Sequence, residues 1–383
     1  MSLPERGAIL SGIGISDVGR RLGVPALDLT VAASLEAIAD AGLTPADLDG
    51  VTTMGDTPPD EAAAALGIAG GYRGGEVATG GLLSPLMSAI LAVGEGRARH
   101  VLVYRTVQMV GGTITNPAGG RSGDGAAASV MGDMGPLLAA HAYSAANWLA
   151  MHCRRHMTLY GTTKEHLGWL AVASRRNAGL NPLAAYRDPI SLDDYLEARP
   201  VSSPFGLLDC DVPVDGSIAI IVSSADHAPD CASVPVHVNA IGRASGAGGW
   251  TGRPDFPRMA SSDAGADLWS RTDLRPADVD VAQLYDGFTF LTLAWLEALG
   301  LCDEGGSGPF VEGGTRIALD GELPLNTYGG QLSAGRMHGY WVLHEACLQL
   351  RGLAGERQVP NSPEVAVAAA GGGPIAGCVL LTR

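Results

Sequence analysis

Apolar positions follow two rhythms along this chain: short unbroken runs, and longer stretches at helical spacing. Ala8–Ile15 (AILSGIGI) is the first run, ended by glycines, and predicts a buried strand. From Ala26 to Ala41 the apolar residues recur at helical spacing, and Gly42 stops the helix. Leu43-Thr-Pro-Ala-Asp47 opens a turn before a short strand near Val51–Met54. A short helix is expected within Pro58–Ala69, a long apolar helix over Leu82–Glu95, and a strand buried on both faces at His100–Tyr104.

The pattern then changes in kind. Gly111–Met134 is glycine-rich and weakly periodic, the character of a functional loop. His141–Leu159 and Lys164–Asn177 predict helices, and Asp209–Ser223 returns to strand character, with Asp215-Gly216 read as a turn before the strand. After this the chain begins again. Val236–Gly242 echoes the first strand, and Leu274-Arg-Pro-Ala-Asp278-Val-Asp280 echoes Leu43-Thr-Pro-Ala-Asp47-Leu-Asp49. The helix over Arg336–Leu350 and the strand Val365–Ala370 answer the helix Leu82–Glu95 and the strand at 100–104. A long-period repeat of strand, helix, strand, helix predicts two similar α/β halves. Residues 1–225 form the first, with an insertion at about 105–200, and residues 230–383 form the second.

Composition narrows the function classes. Charged residues are 17% and hydrophobic ones 46%, which excludes disorder and allows a large core. A formal net charge of −15 argues against a nucleic-acid partner, although local donors could still hold a phosphate-bearing molecule. The N-terminus lacks the regions of a signal peptide and no long apolar run predicts a membrane span, so the expected location is the cytoplasm. Six scattered cysteines, without any Cys-x-x-Cys spacing, are expected to be reduced thiols. His152 and His156 stand four apart on a predicted helix; without a third ligand motif they are read as helix-surface histidines, and no metal or cofactor is expected.

Chemistry concentrates in Leu323-Pro-Leu-Asn-Thr-Tyr-Gly-Gly-Gln-Leu-Ser-Ala-Gly-Arg336-Met-His338-Gly-Tyr340. Here a glycine loop carrying an arginine and a histidine enters a helix, where free N–H groups suit an oxyanion. The string Gly-Gly-Gln-Leu-Ser-Ala-Gly-Arg-Met-His-Gly resembles the C-terminal signature of the thiolase superfamily. Leu284-Tyr285-Asp286-Gly287-Phe288 is similar to that superfamily's Asn-Glu-Ala-Phe motif, and Val367–Gly373 resembles its Cys-x-Gly-Gly-Gly ending. The likeness is greatest to the lipid-transfer-protein branch, with its sterol-carrier thiolases and steroid side-chain aldolases. It implies a five-layered αβαβα α/β fold of two duplicated halves, a loop domain inserted in the first, and a homodimer paired through a sheet edge.

The same resemblance exposes what is missing. A thiolase needs a cysteine nucleophile at the first-half helix start, but the corresponding stretch, Gly75-Glu-Val-Ala-Thr79-Gly-Gly-Leu-Leu-Ser84, has none, and no cysteine precedes Cys153. Arg336 stands where the histidine of Gly-His-Pro is expected, and Ala370 or a neighbouring alanine stands for the second cysteine. Arginine cannot shuttle a proton near neutrality, so covalent thioester transfer is not expected.

Oxyanion elements remain. Gly371, Gly372 and Gly373 can bring backbone N–H groups close to a thioester oxygen, with Thr79 as a further substrate-binding candidate. Tyr285 adds a proton donor and acceptor, which the resemblance implies Arg336 and His338 would face across the pocket; Asp286 orients Tyr285 or binds a nearby amide, and Tyr340 is a candidate second tyrosine. The resemblance implies retro-aldol cleavage of a 3-hydroxyacyl-CoA to a ketone or aldehyde plus a shorter acyl-CoA. It also implies a partner built from an OB-fold and a zinc ribbon. The alternatives are a non-covalent Claisen-type or acyl-transfer enzyme on acyl-CoA, and a catalytically inactive scaffold or acyl-CoA-binding subunit.

Overall fold

A computed structural model describes residues 3–74, 80–110, 134–245 and 249–383. The first strand, β1 (Ala8–Ile15), is buried because its apolar run meets protein on both faces. Helix α1 (Ala26–Asp40) crosses it so closely that a Cβ at Gly12 or Gly14 would strike the carbonyls of Ala37 or Ala33. Next come β2 (Gly50–Thr53), α2 (Pro59–Leu66), the short β3 (Tyr72–Gly74), α3 (Ser84–Gly94) and β4 (His100–Gln108). The insertion carries the short helix α4 (Gly135–Ala139), then α5 (Ala145–Tyr160), α6 (Lys164–Gly179), α7 (Leu192–Leu196) and a small ribbon, β5 (Pro200–Ser202) with β6 (Phe205–Gly206). Strand β7 (Asp215–Ser224) closes the first half.

The second half runs through β8 (Val236–Ser245), α8 (Ala260–Trp269), β9 (Val281–Leu284), α9 (Thr289–Ala298), the short α10 (Ser307–Val311), α11 (Tyr340–Arg351), β10 (Val365–Gly372) and β11 (Ile375–Thr382). The main sheet has the order β3-β2-β4-β7-β1-β8-β11-β10-β9. Strands β2-β4-β7-β1 are joined by one parallel and two antiparallel pairings, and β9-β10-β11-β8 repeat that sequence. The two sets meet through the pairs Ile9↔His237 and Leu10↔Val236. Helices α3 and α11 lie between the two half-sheets; α1 and α2 cover one outer face, and α8 and α9 the other, which completes five layers.

Sequence echoes become repeated contacts. Pro45–Asp47 and Pro276–Asp278 are both 3-10 turns in which an aspartate accepts the amide three residues back, at 2.8 Å from Thr44 and 2.7 Å from Arg275. Asp49 then caps the start of β4 through the amides of Arg99 and His100; Asp280 caps β10 through Glu364 and Val365. An aspartate on each outer helix, Asp40 and Asp267, accepts an amide from β1 and β8 respectively.

Three local expectations are corrected. Asp215 and Gly216 are the buried first residues of β7, and Asp215 accepts the amides of Leu22 and Val110. Strand β4 continues to Gln108, four residues beyond Tyr104. His152 and His156 are buried: His152 bonds the carbonyls of Pro257 and Trp250, and His156 bonds Thr162 and Glu297. They tie the insertion to the second half, a long-range use that helix spacing alone does not signal. Among the described residues no helix is long and apolar enough to cross a membrane.

Candidate active site

Tyr285 follows β9 directly, and its backbone amide continues the sheet by donating to Ala369 on β10. Asn326 holds this strand end from the other side, taking the Leu284 amide on its side chain at 2.7 Å. The phenol is buried, and its hydroxyl makes no hydrogen bond among the described residues. Burial and then the Asp211 charge push its pKa up, Arg336 and Gln331 opposing, so the resting group is a neutral phenol.

Asp286 points the opposite way. Its carboxylate accepts the amides of Gln331 at 2.8 Å and Leu332 at 3.4 Å, which resolves its role as a backbone anchor. Those amides belong to a π-helical turn, Gly330–Ala334, folded over the carboxylate. A Cβ at Gly330 would collide with Asp286, so the Gly329-Gly330 pair is a packing requirement of this turn. Burial pushes the Asp286 carboxyl up to about 7 despite the two amides. Helix α6 clamps the same turn through Ser174 to the Gly329 carbonyl and Arg175 to Ser333. Inside it the Gln331 side-chain amide is buried with neither atom bonded among the described residues.

After the π turn, Gly335, His338 and Gly339 all have positive φ, so the chain doubles back before α11 begins at Tyr340. Gly339 lies against Ala370, where a Cβ would press into the alanine methyl. The small residue in the second-cysteine position thus lets the His338–Gly339 loop close down on β10. Arg336 reaches Asp211 at 3.3 Å and Met109 Sδ at 3.2 Å. Burial raises the Asp211 carboxyl to about 6 in spite of that guanidinium. Asp211 arrives because the insertion returns along the tyrosine motif: its amide donates to the Gly287 carbonyl and Cys210 bridges Phe288.

His338 is met from the first half by Arg105 on β4, whose Nη2 lies 2.6 Å from His338 Nδ1. Burial, followed by the charges of Arg105 and Arg336, drives the His338 pKa well below the ordinary value, so the ring is neutral. Arg105 is itself buried and lies within electrostatic reach of Asp56, Tyr340, Tyr285 and Arg336. Tyr340 is fully enclosed, its hydroxyl unbonded among the described residues and its pKa raised by burial, so it packs beneath the site.

Gly371–Gly373 end β10 at the hairpin into β11. The Gly371 carbonyl accepts from Trp295, the Gly373 amide donates to Met259 Sδ, and Cβ atoms at 372 and 373 would strike Leu291 and Trp250. The Gly373 amide is therefore already committed, and the glycines serve close packing around the site. Thr79 lies outside the described residues, as does most of the Gly111–Met134 loop. None of the six cysteines occupies the start of α3, where Ser84 stands. Burial holds the thiols of Cys210, Cys302 and Cys347 up near about 12, far from a thiolate nucleophile.

Residues 242–381 match the family described as thiolase C-terminal domain-like. The chain is 35% identical to the 17-hydroxy-3-oxo-4-pregnene-20-carboxyl-CoA lyase of Mycobacterium tuberculosis, covering 97% of this chain and 98% of that protein. The chain belongs to the thiolase superfamily, in its steroid side-chain aldolase branch. It is 34% identical to the steroid side-chain-cleaving aldolase of Thermomonospora curvata over 99% of both chains. A solved Ltp2-ChsH2(DUF35) aldolase superposes with a TM-score of 0.90 at 31% identity, covering 100% of this chain and 99% of that one. Within this branch, Arg105 and Asp211 are the site residues that sequence reasoning missed. Arg105 interrupts the apolar β4 run, and Asp211 sits in the acidic Asp209-Cys-Asp-Val-Pro-Val-Asp215 string, each a visible but unread signal.

Proposed function

We propose that the protein is a retro-aldolase that cleaves a 3-hydroxyacyl-CoA with a bulky, steroid-like side chain into a ketone and a shorter acyl-CoA. The observation that carries this reading is the group around Tyr285, in a chain that resembles such aldolases end to end and has no thiol at α3. A buried neutral phenol lies within electrostatic reach of the Arg336–Asp211 pair, and the neutral His338 lies within reach of Arg336 and Arg105, so protons can move and oxyanions can be held without a covalent intermediate. In this scheme Asp211 takes the proton of the 3-hydroxyl as the Cα–Cβ bond breaks to the new C=O. Arg336 and His338 hold the thioester enolate, and Tyr285 delivers a proton to the α-carbon. Proton return from Asp211 to the Tyr285 phenolate resets the site with no net proton change.

The enzyme works in the cytoplasm on a coenzyme A thioester, with no resident cofactor, beside a DUF35-type partner of OB-fold and zinc-ribbon build. The solved aldolase with a DUF35 component supports the partner. Edge strand β3 offers the seam for a homodimer, which light scattering at micromolar concentration would show. The deciding experiment is co-expression with a DUF35 partner, followed by an assay of a steroid 3-hydroxyacyl-CoA for release of ketone and short acyl-CoA. Stoichiometric release of both products is expected. An intact complex that binds the thioester and releases neither would instead establish an inactive scaffold.

A further inference from the structure

We propose that Arg105 is a positioning residue that locks His338 in one tautomer, so that His338 enters the site as an Nε2–H donor and never as a base. The inference deepens the aldolase reading and rests on it only for its kinetic consequence. A guanidinium carries N–H donors and no acceptor, and it keeps its proton in proteins. At 2.6 Å from Arg105 Nη2, His338 Nδ1 must therefore be the accepting, unprotonated nitrogen. In a neutral imidazole the remaining proton then sits on Nε2.

Everything around the ring maintains this state. His338 is held at φ 50 between Met337, which is fully buried, and Gly339 at φ 89, whose hydrogen takes the space against Ala370. Among the described residues, the charged groups facing it are Arg105 on β4 and Arg336 on its own loop, both cationic, so a second ring proton is opposed by both. Arg105 is fixed in turn, as a residue nine-tenths buried in the middle of a strand register that pairs it with Ile218. The other ring nitrogen, Nε2, makes no hydrogen bond among the described residues, and the residue as a whole is half-buried. An Nε2–H presented this way stabilises charge on an oxygen. It cannot accept the 3-hydroxyl proton, which leaves that task to the Tyr285–Asp211 side of the pocket.

The test has one arm that needs no turnover. In protein labelled with ¹⁵N-histidine, with the His338→Gln spectrum subtracted for assignment, long-range ¹H–¹⁵N correlation reads the protonation of each ring nitrogen directly. A bare Nδ1 and a protonated Nε2 are expected from about pH 6 to about pH 8; a protonated Nδ1, or exchange between the two forms, overturns the proposal. The second arm is kinetic, with the DUF35 partner present and compared at equal folded fraction. His338→Gln keeps an N–H donor near the Nε2 position without any ring to titrate, whereas His338→Ala keeps nothing. His338→Ala should lose about 10²–10³-fold, the usual effect of removing one oxyanion donor, and His338→Gln should recover at least about tenfold of that. Equal loss in the two variants refutes the donor role. Arg105→Lys, which remains donor-only, should exceed Arg105→Met by a similar factor. If the wild type proves inactive on every thioester tried, the aldolase reading falls while the spectroscopic arm still decides the tautomer.

Discussion

Asp286→Asn offers a quantitative test of the way the π turn is built. Burial raises this carboxyl from its ordinary 3.8 to about 7 in the folded protein, although two backbone amides bond it. An acid with a higher pKa folded than unfolded binds its proton more tightly when folded, so acid favours folding. Its contribution is most favourable below about pH 4, weakens as pH rises, and levels off above about pH 7. At about 1.36 kcal/mol per pKa unit the full loss is about 4 kcal/mol, of which about 2.5 kcal/mol falls between about pH 5 and about pH 8. Asparagine keeps the shape and can still accept the Gln331 amide through its carbonyl, yet it does not titrate. Asp211, raised to about 6, acts with the same sign but is present in both proteins and cancels from the comparison. Urea unfolding at about pH 5 and about pH 8, on wild type and variant, should show the wild type losing about 2.5 kcal/mol more than Asp286→Asn over that interval. Equal losses would mean that Asp286 is ionised throughout, and the account of a carboxyl forced under the π turn would be wrong.

Tyr285→Phe removes a hydroxyl bonded to nothing among the described residues, so unfolding stability should move by no more than about 0.5 kcal/mol. Steady-state turnover should fall about 10²–10⁴-fold, and full activity in that variant would eliminate Tyr285 as the proton donor. Arg336→Lys keeps the charge but loses the planar fork that spans Asp211 and Met109, so kcat should drop about tenfold or more with the melting temperature nearly constant. Gly339→Ala forces a methyl against Ala370 at φ 89; it should cost about 1–3 kcal/mol in denaturant and reduce turnover by displacing His338. Intact-protein mass spectrometry during turnover should find no acyl group on any of the six cysteines, and a trapped thioester would relocate the chemistry entirely.

What could be read beforehand divides along physical lines. Strands and helices near the sheets were legible because their apolar periodicity is local: β1 and the core of α1 lie where the pattern puts them. The paired Pro-Ala-Asp turns were legible for the same reason, since each is closed by an aspartate three residues along the chain. Tyr285, Arg336 and His338 were found through their loop motifs, and the structure brings their neighbourhoods together. Arg105 escaped because its partner is 233 residues away, and a lone arginine in a strand carries no local pattern. The π turn escaped as well: Gly329-Gly330 reads as an ordinary breaker until Asp286 is seen beneath it. His152 and His156 were misplaced on the surface because helical spacing records which residues share a face, and not what covers it.

The seam between β1 and β8 has a consequence for how this enzyme could be taken apart. Among the described residues only two residue pairs join the half-sheets there, while the working group draws Arg105 from one side and Tyr285, Arg336 and His338 from the other. Neither fragment of a chain cut within the connector at about 231–235 holds a complete site. Joined again through α3 and α11, the two pieces would restore it. Catalysis would then serve as a split reporter, silent in either piece and switched on by their reunion.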